Sequence, residues 1–118
     1  MPSRIMVVHD DAAFAHALAE RFGSEITWFL DPMEALSALR SSKETTVLIT
    51  RVQFADLQSI GLSLARVARE VRPQMGIILT GAPEYSGHVL GMGTFLPEPV
   101  DPEQIDIITE WLSRPHSG

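Results

Sequence analysis

Short apolar runs alternate along this chain with longer segments whose apolar residues recur at helical spacing. The runs lie at residues 4–8, 25–29, 46–50, 75–79 and 94–97. Apolar runs of this length, separated by helical segments, predict βα units and a parallel sheet. Five units in 118 residues are too few for a closed barrel of about 250 residues. We therefore expect an open, doubly wound α/β sheet with helices on both faces.

Start and stop signals bound the predicted helices. Asp-Pro pairs at 31–32 and 101–102 predict helix starts, with Asp as the N-cap and Pro in the first turn. Between Thr80 and Glu98, the residues Pro83, Gly87, Gly91 and Gly93 leave room only for a short fourth helix. The other helices are expected at residues 12–22, ending at Gly23, at 32–41, at about 57–71 with Ile60, Leu64, Val67 and Val71 on the core face, and at 102–113.

Composition narrows the class of protein. We expect one domain over 1–118, with a core of about 3–113 and a tail at 114–118. The absence of cysteine excludes disulfides and thiolate metal sites, and a cytoplasmic location is the default expectation. A net charge of −6 argues against nucleic-acid binding. No apolar run approaches the length of a signal-peptide core or a membrane span.

Polar side chains follow four of the predicted strands. His9, Asp10 and Asp11 come after the first, Arg51 after the third, Thr80 after the fourth and Glu98 after the fifth. In open α/β sheets, ligands bind beyond the carboxyl ends of the strands at the topological switch point. These side chains are therefore expected to meet in one crevice.

The ordered motifs at these strand ends resemble a response-regulator receiver domain over essentially the whole chain. They are VVHDD at 7–11, VLITR at 47–51, IILTG at 77–81 and FLPEPV at 95–100. The resemblance implies a flavodoxin-like fold with strand order 2-1-3-4-5. It also implies phosphoryl transfer from a sensor kinase to an aspartate after the third strand. An acidic pair after the first strand would hold Mg²⁺, and a threonine and a Lys-Pro pair would sense the phosphoryl group.

The chain departs from that family pattern at the reactive positions. His9 stands at the first position of the acidic pair, which is lost unless Asp11 replaces it. Arg51 stands at the phospho-acceptor position and Glu98 at the lysine position. The retained residues are Thr80, Pro99 and an aromatic switch position at Phe95, while Ala55 fills the position of an expected proline. The resemblance therefore indicates a degenerate receiver without aspartate phosphorylation and without Mg²⁺.

Charge at the strand ends supports the same interpretation. Mg²⁺ prefers carboxylate and phosphate oxygens, and the positive charge of Arg51 competes with it. The planar guanidinium suits a bidentate grip on Asp10 or Glu98. We expect an internal ion pair in place of metal and phosphate, holding the domain in one state. The alternative is that Arg51 extends into solvent from the strand end.

Other residues carry weaker hypotheses. His9 is expected to be a neutral, hydrogen-bonded residue, with a titrating switch or a phosphate acceptor as alternatives. Asp56 is a second alternative acceptor. Thr80 is expected to bond the backbone rather than to sense a ligand. On the last helix, Ile107 and Trp111 widen the apolar arc and predict either a homodimer surface or a cover over the sheet edge.

The predicted function is that of a receiver-like protein-interaction module in two-component signalling, without catalytic residues, whose partner is a sensor kinase or an effector. The first alternative is a small-ligand or anion-binding domain that uses Arg51 and Thr80. Against it, the segment after the first strand lacks a glycine-rich phosphate loop. The second alternative is an enzyme with His9 and Asp10 as an acid-base pair, for which the sequence offers no nucleophile or metal set.

Overall fold

The computed structural model of the protein describes residues 5–23, 26–41, 45–53, 60–89, 91–101, 103–105 and 107. Strands and helices alternate through these residues, as the alternating pattern predicts. The elements are β1 (Ile5–Val8), α1 (Ala12–Phe22), β2 (Ile26–Phe29), α2 (Pro32–Ser41), β3 (Val47–Arg51), α3 (Ile60–Val71), β4 (Gly76–Gly81), a 3-10 helix (Pro83–Val89) and β5 (Thr94–Pro97).

The five strands form one parallel sheet in the order β2-β1-β3-β4-β5. The central strand is β3. Its Thr50 pairs with Val8 of β1 on one side, and its Arg51 pairs with Thr80 of β4 on the other. This order confirms the predicted flavodoxin-like fold. Because all five strands run in the same direction, their carboxyl ends lie at one edge of the sheet.

Alternate strand residues face two separate cores. Met6, Val8 and Leu48 belong to the cluster that packs under α2 and α3. Ile5, Val7 and Ile49 belong to the cluster on the opposite face, with Leu18 of α1 and Ile105. Successive side chains of a strand point to opposite faces, so a sheet covered on both sides needs these uninterrupted apolar runs. The prediction of helices on both faces is confirmed.

Helix caps match the predicted start signals. The Asp11 side chain accepts a hydrogen bond from Ala13 N at 3.0 Å and caps α1, while Asp31 does the same for Met33 N at 2.9 Å and caps α2. Gly23 ends α1 with a φ of 60°, a conformation that glycine adopts without strain. The helix α1 keeps its predicted bounds. The helix α2 begins at Pro32 as predicted and is helical to Ser41, beyond which residues 42–44 lie outside the described part of the chain.

The predicted core face of α3 is partly wrong. Leu64 is buried, but Val71 is 37% exposed, and the buried positions include Gly61, Ala65 and Ala68. Small residues let α3 lie close to the sheet: a Cβ at Gly61 would overlap the Arg51 carbonyl oxygen. Ile60 and Val67 are partly buried against the same core as predicted, so the prediction is wrong at Val71 and it missed the small residues of the contact face.

Two strands run further than the sequence indicated. β3 includes Arg51 and β4 continues to Gly81, because Arg51 pairs with Thr80 and Gly81 with Pro97. Arg51 and Thr80 thus lie side by side on adjacent strands.

The fourth unit is short, as expected, and forms the 3-10 helix Pro83–Val89. Residues 103–105 and 107 are helical, in agreement with a last helix, while its predicted continuation to 113 and the tail lie outside the described residues. The domain bounds therefore stay a prediction. Among the described residues, no helix is long and apolar enough to cross a membrane.

Candidate functional site

Arg51 lies between two carboxylates at the carboxyl edge of the sheet. Its Nη1 donates to Asp10 Oδ1 at 2.6 Å and its Nη2 to Glu98 Oε1 at 2.7 Å. Its Nε also donates to Glu98 Oε1, at 3.2 Å. Asp10 follows β1 and Glu98 follows β5, so one guanidinium joins the strands on either side of the β3–β4 pair. The Arg51 side chain is therefore ion-paired with Asp10 and Glu98 and does not simply extend into solvent.

Glu98 is surrounded by hydrogen-bond donors on both oxygens. Oε1 accepts the two bonds from Arg51, and Oε2 lies 3.2 Å from His9 Nε2 and 3.3 Å from Thr80 Oγ1. The backbone fixes where this side chain starts, since Glu98 N donates to Gly81 O at 2.7 Å. The peptide bond that follows, Glu98–Pro99, is cis. A single carboxylate therefore receives four donors from three strand ends.

His9 is held in one tautomer. Its Nδ1 accepts from Asp11 N at 3.0 Å, so the ring proton is on Nε2, which faces Glu98. The residue is 2% exposed and its ring lies 4.5 Å from that of Phe14, centroid to centroid. Burial, with a further contribution from the positive charge of Arg51, lowers the pKa of His9 below 6.5, against the opposing effects of Glu98 and Asp10. His9 is accordingly a neutral donor to Glu98.

The ion pairs also shift the pKa of Arg51. Burial alone would lower its pKa, but hydrogen bonds and charge interactions with Glu98 and Asp10 outweigh burial and raise the pKa. With His9 neutral, the charges of Arg51, Asp10 and Glu98 sum to −1. We call His9, Asp10, Arg51, Thr80 and Glu98 the strand-end cluster.

Of the other predicted site residues that the structure describes, Asp11 contacts the strand-end cluster through its backbone N–H, which donates to His9 Nδ1. The Asp11 side chain is exposed and caps α1, so it does not replace the first acid of the family pattern. Phe95 is partly buried against the core under α2 and α3. Ile107 is 68% exposed. Asp56, Ala55 and Trp111 lie outside the described residues.

The predicted hydrogen-bond partner of Thr80 is wrong. Thr80 is fully buried and its hydroxyl donates to Glu98 Oε2 rather than to a backbone carbonyl. The reason is the pairing of β4 with β5, which brings the Glu98 carboxylate to the end of β4. Nothing local to Thr80 in the sequence indicates this partner.

Two residues beside the cluster were not foreseen. Gln53 and Tyr85 line a crevice of about 250 Å³ together with Arg51, Asp10 and Glu98. The Tyr85 hydroxyl donates to Gln53 Oε1 and joins the 3-10 helix to the segment after β3. Tyr85 is the chain's single tyrosine, which is a weak signal, and its partner depends on tertiary structure.

No family model matches the chain, and no curated protein matches it in sequence. Solved structures do match. A response regulator receiver protein from Sinorhizobium medicae aligns with a TM-score of 0.77 and 24% identity, covering 94% of each chain. A CheY-like receiver domain protein from Methanospirillum hungatei gives 0.74 and 23%, over 95% of this chain and 94% of the other. An adenylate cyclase from Rhodopirellula baltica gives 0.81 and 18%, over 95% and 87%. The chain has the flavodoxin-like fold that these receiver structures share.

Proposed function

We propose that the protein is a pseudo-receiver: a receiver-like domain of two-component signalling that acts by protein–protein interaction and without aspartate phosphorylation. The fold likeness supports the receiver part of the proposal. One observation carries the rest, the position of Arg51. It occupies the carboxyl end of the central strand, where the receiver pattern requires a phospho-acceptor aspartate, and it is held there by three hydrogen bonds.

Glu98 supports the view that the site is permanently filled. In the receiver pattern, the threonine after the fourth strand and a cation contact an added phosphoryl group. Here the Thr80 hydroxyl and the Arg51 guanidinium both contact the carboxylate of Glu98. The domain thus carries its own anion in this place, and we propose that the anion fixes one conformation for a partner to recognise.

The residues present do not fit Mg²⁺. The two carboxylates nearest the expected metal position, Asp10 and Glu98, both face a guanidinium. In the described part of the chain, no group of three or more histidine and acidic residues is arranged to hold a metal ion. A cation already lies where the metal charge would be, so metal binding would have to break two ion pairs.

The two alternative functions gain less support. An anion-binding crevice would need Arg51 and Thr80 to be available, and both donate to Glu98. An acid-base pair of His9 and Asp10 would need a hydrogen bond between them, whereas His9 Nδ1 accepts from Asp11 N and lies 3.8 Å from Asp10.

Amide NMR during a titration with beryllofluoride and Mg²⁺ tests the proposal. We expect no saturable shifts at residues 9–11, 51 and 80, because the acceptor carboxylate is missing and the cation position is filled. Saturable shifts at these residues would contradict the proposal.

A triple variant provides the positive control. His9→Asp, Arg51→Asp and Glu98→Lys together restore the receiver residue pattern on the same fold. We expect this variant to give Mg²⁺-dependent shifts at the strand ends under the same conditions.

The partner stays a prediction: a sensor kinase or an effector. The exposed side chain of Ile107 is compatible with the proposed homodimer through the last helix, although its companion Trp111 lies outside the described residues.

A further inference from the structure

A cavity of about 540 Å³ lies between α1 and the segment that follows β5. Its apolar walls consist of Ala13, Phe14 and Ala17 of α1 on one side and of Pro99 and Val100 on the other. Small-molecule sites in proteins have volumes of about 300–1,000 Å³ and are lined mainly by apolar side chains with a few polar groups. The size and the walls of this cavity agree with that description.

The walls of the cavity are held in place by packing. Phe14 and Val100 are partly buried against the core on the α1 face of the sheet, and the Phe14 ring lies 4.5 Å from the His9 ring, centroid to centroid. Ala13 and Ala17 are four residues apart on α1, and residues at this spacing lie on one face of a helix. Because both are alanines, they leave space that longer side chains would fill, and the cavity is preformed.

The polar part of the lining consists of members of the strand-end cluster, His9, Arg51 and Glu98. Glu98 already accepts four hydrogen bonds, and both ring nitrogens of His9 are engaged. A guanidinium has more N–H groups than the three that Arg51 donates to Asp10 and Glu98. The remaining N–H groups have no acceptor among the residues that the structure describes, and the Arg51 side chain is 32% exposed. These residues therefore offer hydrogen-bond donors to a ligand.

The charges along the cavity narrow the choice of ligand. Asp11 also lines it and is exposed. With His9 neutral, the positive charge of Arg51 is outnumbered by the negative charges of Asp11 and Glu98, so an anion is repelled. A cationic ammonium or amidinium group carries no acceptor for the Arg51 N–H groups. A neutral carbonyl oxygen accepts from them without adding charge.

We propose that this cavity binds a small neutral molecule that carries a carbonyl group on an apolar body, such as an aromatic amide. The carbonyl oxygen accepts from the remaining N–H groups of Arg51, and the apolar body contacts Phe14 and Val100. The ion pairs of Arg51 with Asp10 and Glu98 stay intact in this arrangement, whereas an anion site would need the N–H groups that Glu98 occupies. The proposal adds a ligand site to the domain and does not depend on the proposed signalling function.

Aromatic probes of similar shape distinguish the classes of ligand. Benzamide is neutral and has a carbonyl oxygen, benzoate is its anionic counterpart, benzamidine is its cationic counterpart, and toluene has no acceptor. Amide NMR titrations of the wild type follow Ala13, Ala17 and Val100, which line the cavity. We expect saturable shifts at these residues with benzamide, and binding of the other probes that is weaker by about tenfold or more, because each brings a charge or lacks the acceptor.

A pair of variants locates the binding site. Ala17→Leu should abolish the saturable benzamide shifts at Ala13 and Val100, because the larger side chain fills the cavity. Ala19→Leu is the matched control, since it makes the same change at an exposed position of the same helix and should leave the affinity unchanged. Leucine and alanine are both good helix formers, and circular dichroism checks that both variants are folded.

Several results would overturn the proposal. One is unchanged benzamide affinity in a folded Ala17→Leu variant, which would place the ligand elsewhere. Another is tighter binding of benzoate, benzamidine or toluene than of benzamide, which would assign the cavity to an anion, a cation or a purely apolar ligand. A third is the absence of saturable benzamide shifts up to the millimolar range expected for so small a ligand. The probe series needs only the wild type, so it decides the proposal even if Ala17→Leu does not fold, and the beryllofluoride titration reports separately on the proposed function.

Discussion

Under the proposed function, Arg51 and Glu98 carry charges opposite to those that the receiver pattern expects at their positions. The pattern places an acid at the end of the third strand and a lysine after the fifth, and this chain has the two charges exchanged. The exchanged charges are in direct contact. Two N–H groups of the Arg51 guanidinium donate to one oxygen of Glu98, and a third donates to Asp10. Charge-assisted hydrogen bonds are among the stronger contacts in proteins.

Replacing Arg51 with glutamine should destabilise the fold. The change leaves Asp10 and Glu98 close together without a cation. Breaking a buried pair costs about 3–5 kcal/mol, but these side chains are 21–32% exposed, so we expect a loss of about 2 kcal/mol in the free energy of unfolding. Urea denaturation measures it.

Arg66→Gln is the matched control. It removes the same charge from an exposed position on α3, and surface substitutions of this kind usually change stability by less than about 0.5 kcal/mol. Equal effects of the two substitutions would show that the Arg51 ion pairs contribute nothing beyond net charge.

His9 makes stability depend on pH. The folded protein lowers the pKa of His9 through burial and the nearby Arg51, with Glu98 and Asp10 opposing the shift, so the unfolded chain takes up the proton first as pH falls. The contribution of His9 is fully present above about pH 6.5 and is lost as pH drops below that value towards the folded pKa.

A His9→Gln variant isolates this effect. The free energy of unfolding of the wild type should fall more between about pH 7.5 and about pH 5.5 than that of the variant. His16→Gln, which removes an exposed histidine, should fall as the wild type does. Parallel pH profiles for the wild type and His9→Gln would rule out the buried neutral state of His9.

At the scale of elements, the start of α3 is fitted to the end of β3. Gly61 N donates to Val52 O at 3.1 Å, and a Cβ at Gly61 would lie 2.8 Å from Val52 Cα and overlap the carbonyl oxygen of Arg51. The helix therefore supports the backbone that carries Arg51, and the close approach requires a residue without a side chain.

Gly61→Ala should cost at least about 3 kcal/mol in the free energy of unfolding, because the overlap is with backbone that cannot move without shifting β3 or α3. Gly87→Ala is the control. Its Cβ would meet no atom within 4 Å, and a glycine replaced without strain is neutral or stabilises by about 0.5 kcal/mol. Thermal unfolding of both variants separates them, and equal midpoints would contradict the close packing of α3.

The fourth unit contains a 3-10 helix, Pro83–Val89, in place of a full α-helix. Proline and glycines shorten it to the 3-10 helix, as their helix propensities predict. Its attachment through Tyr85 to Gln53 was not predictable, because the two residues are 32 positions apart and belong to different units.

At the scale of the whole molecule, the pattern of runs and helical segments was enough to predict the strand number, the parallel sheet and the edge at which the polar groups collect. That edge follows from chain direction alone, since every strand of a parallel sheet ends on the same side. The order 2-1-3-4-5 came from the resemblance rather than from the pattern, and the structure confirms it.

Sequence patterning determined the elements, their approximate bounds and the convergence of His9, Asp10, Arg51, Thr80 and Glu98, because hydrophobic period and capping are local properties. Tertiary structure alone decided that Arg51 binds both carboxylates at once, that Thr80 donates to Glu98 and that α3 begins in backbone contact with the end of β3 at Gly61. Each of these depends on distances between residues far apart in the chain, which are set by strand pairing and packing rather than by neighbours in sequence.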